Sequence, residues 1–237
     1  MVLQRDRPIP VWGWDDPESS ITATLGEYSA QSKAGADGRW LVHLPAHGVV
    51  TEPVSLSVEG SSTLTLHDVL VGEVWLCSGQ SNMEWRVGQA TNPEEEIAAA
   101  NHPRIRHIKI SRTPTKLPQD QVETSAWKVC SPVTVAEFTA VGYFFGRHLH
   151  TNLEVPVGLI GSNWGGTRIE PWTPPEGFRR VPALAAIADH LDEYPTTKED
   201  GSIQEQSAMA LYNGMIHPLV PYAMPSGIRE SRTTERG

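Results

Sequence analysis

The stretch Gly72-Glu-Val-Trp-Leu-Cys-Ser-Gly-Gln-Ser-Asn-Met-Glu-Trp85 constrains the fold more than any other part of this chain. Val74, Trp75, Leu76 and Cys77 form an unbroken apolar run, the pattern of a strand covered on both faces in a parallel sheet layered with helices. Gly79-Gln80-Ser81-Asn82 ends the run abruptly. That places Ser81 on a turn at the carboxyl end of the strand, where open α/β sheets bind ligands. A helix starting at Asn82 or just after would aim its free N–H groups toward Ser81. Ser81 is therefore the candidate nucleophile, and the chemistry indicated is acyl transfer.

The chain on either side of this strand follows two different patterns. From Met1 to Val69, short segments of period-two alternation predict strands at Ile9–Trp14, Ile21–Leu25, Trp40–Leu44, Val54–Val58 and Thr63–Leu66. Turn residues separate them at Asp15–Pro17, Gly35–Gly38 and Glu59–Ser62, so residues 1–69 are expected to form a small antiparallel β-sandwich. After Val69, apolar strands at Val74–Ser78, Ile105–Ile110 and Val157–Asn163 alternate with helical segments at Asn92–Ala100, Glu137–Thr151 and Ile203–Met215. This is an α/β pattern with a parallel sheet. Phe138, Val141, Phe145 and Leu149, spaced by three and four, are the expected sheet-facing side of the middle helix. His148 and His150 near its end read as surface residues suited to a helix C-terminus.

Composition limits the partners. With 19 basic against 28 acidic residues the net charge is −9, which disfavours nucleic acid and anionic membranes and favours a small or neutral substrate. No apolar stretch approaches the roughly 20 residues of a membrane span, and Met1–Pro8 lacks the apolar core of a signal peptide. Cys77 and Cys130 make neither a disulfide framework nor metal-ligand spacing; both are expected to be buried. No metal or other cofactor is indicated.

A second strand also runs into a glycine turn, at Gly158-Leu-Ile-Gly-Ser-Asn-Trp-Gly-Gly-Thr-Arg-Ile-Glu-Pro-Trp172. Consecutive glycines at a strand end let backbone N–H groups face a ligand, as an oxyanion hole requires, although a tight turn needed only for packing would look the same. The two loops resemble the first and second blocks of the SGNH (GDSL-like) hydrolases. Together with Leu211-Tyr-Asn-Gly-Met-Ile-His-Pro-Leu-Val-Pro-Tyr222, Val11-Trp-Gly-Trp14 and Ala36-Asp-Gly-Arg-Trp40, they resemble the sialate O-acetylesterase family over about residues 1 to 224. The resemblance implies an α/β fold with a flavodoxin-like, three-layer SGNH hydrolase domain, incomplete over residues 70–224 and preceded by the sandwich. It implies Ser81 as the nucleophile on an acetyl ester, the Ser81 and Gly165 N–H groups as part of the oxyanion hole, and Gly166 keeping the turn open. Gln80, Asn82, Trp164 and Arg168 are the substrate-contact candidates, and the partner implied is an O-acetylated sugar, a sialic acid or an acetylated polysaccharide. Arg168 would either meet a substrate carboxylate or pair with Glu170 or Glu84 and hold the loops together. Family members are often secreted or periplasmic.

The same resemblance exposes a gap. A Gly-Glu-Ser-Asn block and a later Asp-x-x-His, which supply an asparagine, an acid and a base, are not found in this sequence. Residues 225–237 read as a polar tail outside the family pattern. One synonymous coding of Arg229–Arg236, read from its third base, spells Gly-Glu-Ser-Asn-Asn-Gly-Glu. A frameshift between about Ala223 and Arg229, an early end to the sheet with open strand edges, and a start that lies inside the family sequence are the corresponding expectations. His217 is the weak alternative base. The expected function is a carbohydrate O-acetylesterase working through an acetyl-serine intermediate and impaired in this fragment; the alternative is a non-catalytic remnant that binds acetylated glycans.

Overall fold

A computed structural model describes residues 1–222, Met224 and the backbone of Ser226–Glu230. The first strands are β1 (Val2–Gln4), β2 (Ile9–Trp14), β3 (Ser20–Leu25), β4 (Tyr28–Lys33), β5 (Arg39–Leu44), β6 (Val50–Glu59) and β7 (Thr63–Gly79). They build the expected sandwich: β4, β3, β6 and the first part of β7 pair antiparallel in that order, and β2 and β5 form a second, two-stranded layer. Alternation sorts the side chains as predicted. Ala23 and Leu25 meet Val42, Leu44, Leu56, Val69 and Val71 between the layers. Two strands escape the pattern, β1 for its brevity and β4 because Tyr-Ser-Ala-Gln-Ser-Lys carries almost no apolar alternation.

The change of pattern after Val69 falls inside a single strand. β7 runs for 17 residues, antiparallel to β6 up to Val71 and parallel to β1 over Leu70–Gly72. Beyond that it becomes the middle of the α/β sheet. Asp68, at φ 58°, marks the change of partners: it holds the guanidinium of buried Arg106 through both carboxylate oxygens. The Met1 amino group donates to its carbonyl at 2.8 Å. That guanidinium keeps the Asp68 carboxyl below the usual carboxylate range, overriding the upward pull of desolvation.

The α/β part continues with α1 (Ser81–Glu84), α2 (Pro93–Ala99), β8 (His102–Lys109), β9 (Lys128–Cys130), α3 (Ala140–Leu153), β10 (Val157–Asn163), α4 (Pro175–Arg180), α5 (Ala185–Ala188) and β11 (Ser226–Glu230). β10 lies parallel between β7 and β8, and β9 adds antiparallel to β8. The sheet does not stop at β7. β11 pairs parallel with Trp75–Gly79, so the edge expected to be open carries a strand drawn from the segment read as a non-family tail. Pro225 and residues 231–237, where most of that tail and the frameshift reading fall, lie outside the described residues.

The sheet is covered on both faces, as the apolar run at Val74 requires. Cys77, Val157, Leu159 and Ile105 pack on one face against Phe138 and Tyr143; Val74, Ile160 and Ile110 pack on the other against Trp172, Leu211 and Met215. Both cysteines are buried and free. Of the predicted sheet-facing residues, Phe138 lies in the core, Leu149 packs against it and Phe145 meets Trp75 of β7 at 4.8 Å, but Val141 is exposed. Gly142, Tyr143 and Gly146 also face inward, because glycines let the helix lie close: a Cβ at Gly142 would fall 2.8 Å from Cys77 Sγ, and one at Gly146 3.2 Å from Leu159. The predicted helix at Ile203–Met215 is also corrected. Ile203 forms a β-bridge with Thr197, Met209 sits at φ 65°, and helical structure begins only at Ala210, passing into a wide π-type turn at Tyr212–Ile216. A left-handed residue at Met209 cannot continue a right-handed helix.

Gly72 marks the closest approach in the sheet. A Cβ there would lie 2.1 Å from the carbonyl oxygen of Pro156, which accepts from the Glu73 N–H at 2.9 Å just before β10 begins. Backbone cannot yield as a side chain does, so Gly72→Ala is expected to cost about 1–3 kcal/mol in urea unfolding. Gly48→Ala, with nothing within 4 Å of the added methyl, should unfold like the parent. Equal midpoints for the two variants would contradict this packing.

Candidate active site

The parallel register of β7 and β10 pairs Ser78 with Ser162 and Gly79 with Asn163, so the two strands end level. The Trp164 N–H donates to the Gly79 carbonyl at 3.0 Å, extending the pairing one step into the loops. Gly79 takes φ 144°, a backbone region that essentially only glycine occupies, and turns the chain into α1. This helix begins at Ser81 itself and is one turn long, closed by Glu84 N–H to Gln80 O and Trp85 N–H to Ser81 O, both at 2.9 Å. Its dipole is correspondingly small, so any anion stabilisation beside Ser81 comes from individual N–H groups. Ser81 is exposed at the mouth of the turn.

The second loop lies directly alongside. A methyl group at Gly165 would fall 3.6 Å from Ser81 Oγ and 2.7 Å from Glu84 Oε2. Gly166 occupies φ 81° with open space around it, so its requirement for glycine is conformational and not steric. Gln206 holds this turn from both sides, its Nε2 donating to Gly166 O at 3.0 Å and its Oε1 accepting from Arg168 N–H at 3.1 Å. Thr167 Oγ1 donates to Trp164 O and accepts from the indole N–H of buried Trp172.

The Gly165 N–H already has an acceptor. It donates to Glu84 Oε2 at 2.7 Å, while Glu84 Oε1 accepts from Arg112, whose guanidinium lies 5.2 Å from the Trp164 ring. Burial pulls the Glu84 carboxyl upward, but the Arg112 and Gly165 hydrogen bonds with the charges of Arg112 and Lys109 outweigh it and hold it below the usual glutamate range. The two loops are thus tied together through Glu84 and Arg112, and Arg168 takes no part. Arg168 is exposed and forms no ion pair among the described residues, and Glu170 Oε2 is buried without a hydrogen-bond partner. The pairing of Arg168 with Glu84 or Glu170 is therefore not what the fold contains. Arg112 lies just past the end of β8, where no local motif announces it.

Behind Glu84 lies a cavity of about 260 Å³, and Glu84 and Arg86 line both it and the space beside Ser81. Lys109 Nζ reaches the side-chain and main-chain oxygens of Asn163 there, and desolvation, with Arg112 and Arg86 adding to it, brings its pKa down to about 8 against the opposing pull of Glu84. Asn163, buried in the second motif, also donates to Cys77 O at 3.2 Å. His107 stacks on Phe138 at 4.6 Å, and burial followed by the Lys109 and Lys128 charges pushes it down to about 3, so it is neutral near pH 7. Of the other candidates, Trp164 is half-buried over Arg112, and Gln80 and Asn82 flank Ser81 on the turn. His217 Nδ1 bonds Gln119 O at 2.9 Å, away from Ser81. No group of three or more potential metal ligands occurs among the described residues.

Glu84 has a depressed folded-state pKa, so the stabilisation from its contacts is present above the ordinary glutamate pKa and is lost as pH falls through the folded value. Followed by NMR, the Gly165 amide should shift with a midpoint below the usual value of about 4.3. In Arg112→Gln that midpoint should rise toward the ordinary value. An amide that does not titrate, or a midpoint unmoved by the substitution, would contradict the arrangement.

Comparison with known proteins bears on the family and the fold. Residues 71–191 match the family model described as carbohydrate esterase, sialic acid-specific acetylesterase. Sialate O-acetylesterase of Homo sapiens is 32% identical over 242 residues, covering 92% of this chain and 44% of that protein. Its counterpart from Mus musculus is 30% identical, covering 92% and 47%. The crystal structure of a carbohydrate acetylesterase from Xanthomonas citri superposes with a TM-score of 0.84 at 38% identity, covering 98% of this chain and 49% of that one. The chain spans about half the length of the relatives it matches.

Proposed function

This chain belongs to the sialic acid-specific acetylesterase family of the carbohydrate esterases, and we propose that it carries the nucleophile and part of the oxyanion hole of a carbohydrate O-acetylesterase. The observation that supports this reading is the level ending of β7 and β10, which sets the Gly165 backbone beside Ser81 Oγ. In the proposed reaction Ser81 Oγ adds to the acetyl carbonyl carbon, and its proton passes by way of water to the sugar oxygen that departs. The carbonyl oxygen becomes the anion, and collapse breaks the bond to the sugar oxygen, which leaves as the alcohol with acetyl on Ser81. Water then adds to that ester, the bond between Ser81 Oγ and the acetyl carbon breaks, Ser81 regains its proton from the water and acetate is released. The Ser81 and Gly165 N–H groups stabilise the anion in both steps, with Gly166 supplying the turn that presents them.

Gly165 has one N–H, and Glu84 holds it. The acyl oxygen must therefore displace the Glu84 carboxylate, which Arg112 retains at the side of the site. The Glu84–Arg112 pair persists in this exchange, and the Gly165 N–H trades one oxygen acceptor for another, so the loss of its bond to Glu84 is offset by the new one. The substrate proposed is an O-acetylated sugar, a sialic acid or an acetylated polysaccharide, contacted by Gln80, Asn82, Trp164 and Arg168. None of the nine histidines hydrogen-bonds Ser81 Oγ among the described residues. Turnover by this chain is accordingly proposed to be low, since a serine hydroxyl without a base is a weak nucleophile.

Labelling with a fluorophosphonate tests the nucleophile. We expect slow labelling that reaches one adduct per chain, absent in Ser81→Ala and faster in Glu84→Gln, where the Gly165 N–H is freer for the phosphoryl oxygen. Labelling no greater than in Ser81→Ala would overturn the esterase reading and favour a glycan-binding remnant.

A further inference from the structure

The outer face of the two-stranded layer is apolar where a wet face is expected. Trp12 and Trp14 alternate with Gly13 on β2, and Leu41 pairs with Trp12 from β5, so all three project away from the sandwich core. Trp14 and Leu41 are 44% and 48% exposed. Across from them stand the Gln119–Asp120 loop and the His217–Pro221 segment, which leave a groove of about 370 Å³. Arg39 spans its side, donating to both carboxylate oxygens of Asp120, with its guanidinium 6.0 Å from the Trp14 ring. The His217 Nδ1–H donates to Gln119 O, which leaves Nε2 as an acceptor. The groove shares no residue with the cavities beside Ser81.

Three properties select the ligand. The groove's volume lies at the low end of the roughly 300–1,000 Å³ of small-molecule sites. The partly exposed indole of Trp14, beside half-buried Trp12, suits the flat C–H face of a pyranose ring, a surface that combines apolar area with rigidity. Arg39 is neutralised by Asp120, so no free cation is offered to an anionic group, while the pair presents fixed donors and acceptors to hydroxyls.

We propose that this groove is a second carbohydrate-binding site, taking one or two rings of a neutral oligosaccharide whether or not it is acetylated. Its occupation needs neither Ser81 nor the loop at Gly165, and it would hold a glycan on the chain independently of any ester chemistry.

Titration of the full chain with unacetylated xylotriose and with lactose, followed through the indole Nε1–H resonances, tests the site. The expected result is saturable shifts of the Trp12 and Trp14 signals with at least one sugar, unchanged in Ser81→Ala. Binding should weaken about tenfold in Trp14→Ala, as loss of a stacking contact implies, and be largely kept in Trp14→Phe. Asp120→Asn, which disturbs the polar side and no aromatic ring, should weaken it several-fold. No saturable shift with either sugar, or shifts that persist in both Trp14→Ala and Asp120→Asn, would overturn the proposal. So would a dimer that dissolves on Trp14→Ala and ignores sugar, since a second copy would then own the groove. Binding retained in Ser81→Ala keeps this outcome separate from the fate of the esterase reading.

Discussion

The parallel pairing of β7 with β10 is the constraint on which the rest of the structure depends. Seven residue pairs from Val157–Glu73 to Asn163–Gly79 fix the two strands in one register. A slip of β10 by one residue would turn Val157 and Leu159 toward the face now held by Ile160, and Ile160 toward theirs, disrupting both cores. Two well-filled cores therefore specify the relative position of two loops that lie outside them. Ser81 and Gly165 meet because the strands carrying them have no alternative alignment. The same strand, extended backward, also builds the sandwich, and the buried Arg106 gripped by Asp68 pins its change of partners.

At the end of that register the chain places a carboxylate on the Gly165 N–H, the position that the proposed reaction gives to the acyl oxygen. Glu84 satisfies the Gly165 N–H, and Arg112 satisfies Glu84, so the loops rest in a closed arrangement with their polar groups paired. An exposed N–H beside a serine would be hydrated in any case. A carboxylate of the chain itself does the same task and adds geometric order. It also makes the donor available only to a group that competes successfully with a charged, hydrogen-bonded side chain.

Much of this was legible in the sequence, and the reasons are specific. The apolar run at Val74 and the breaks at Gly79 and Gly165 announce covered strands with turns at their ends, because burial and left-handed or extended glycine conformations leave marks in one dimension. What was missed lacks such marks. Arg112 and Gln206 reach the loops from segments with no periodicity, and their roles follow only from the folded path of the chain. On α3 a search for large apolar residues finds Phe145 and Leu149 but passes over Gly142 and Gly146, because close packing selects glycine there. The helix expected from Ile203 failed at Met209, where tertiary contacts impose a left-handed residue that propensity alone disfavours.

The central claim is that Ser81 and the Gly165 N–H act on one oxygen. The structure of a covalent Ser81–phosphonate adduct tests it most directly. The account predicts a phosphoryl oxygen within hydrogen-bond reach of the Gly165 N–H, with the Glu84 carboxylate displaced toward Arg112. An adduct in which Glu84 still holds Gly165 and the phosphoryl oxygen points elsewhere would contradict it.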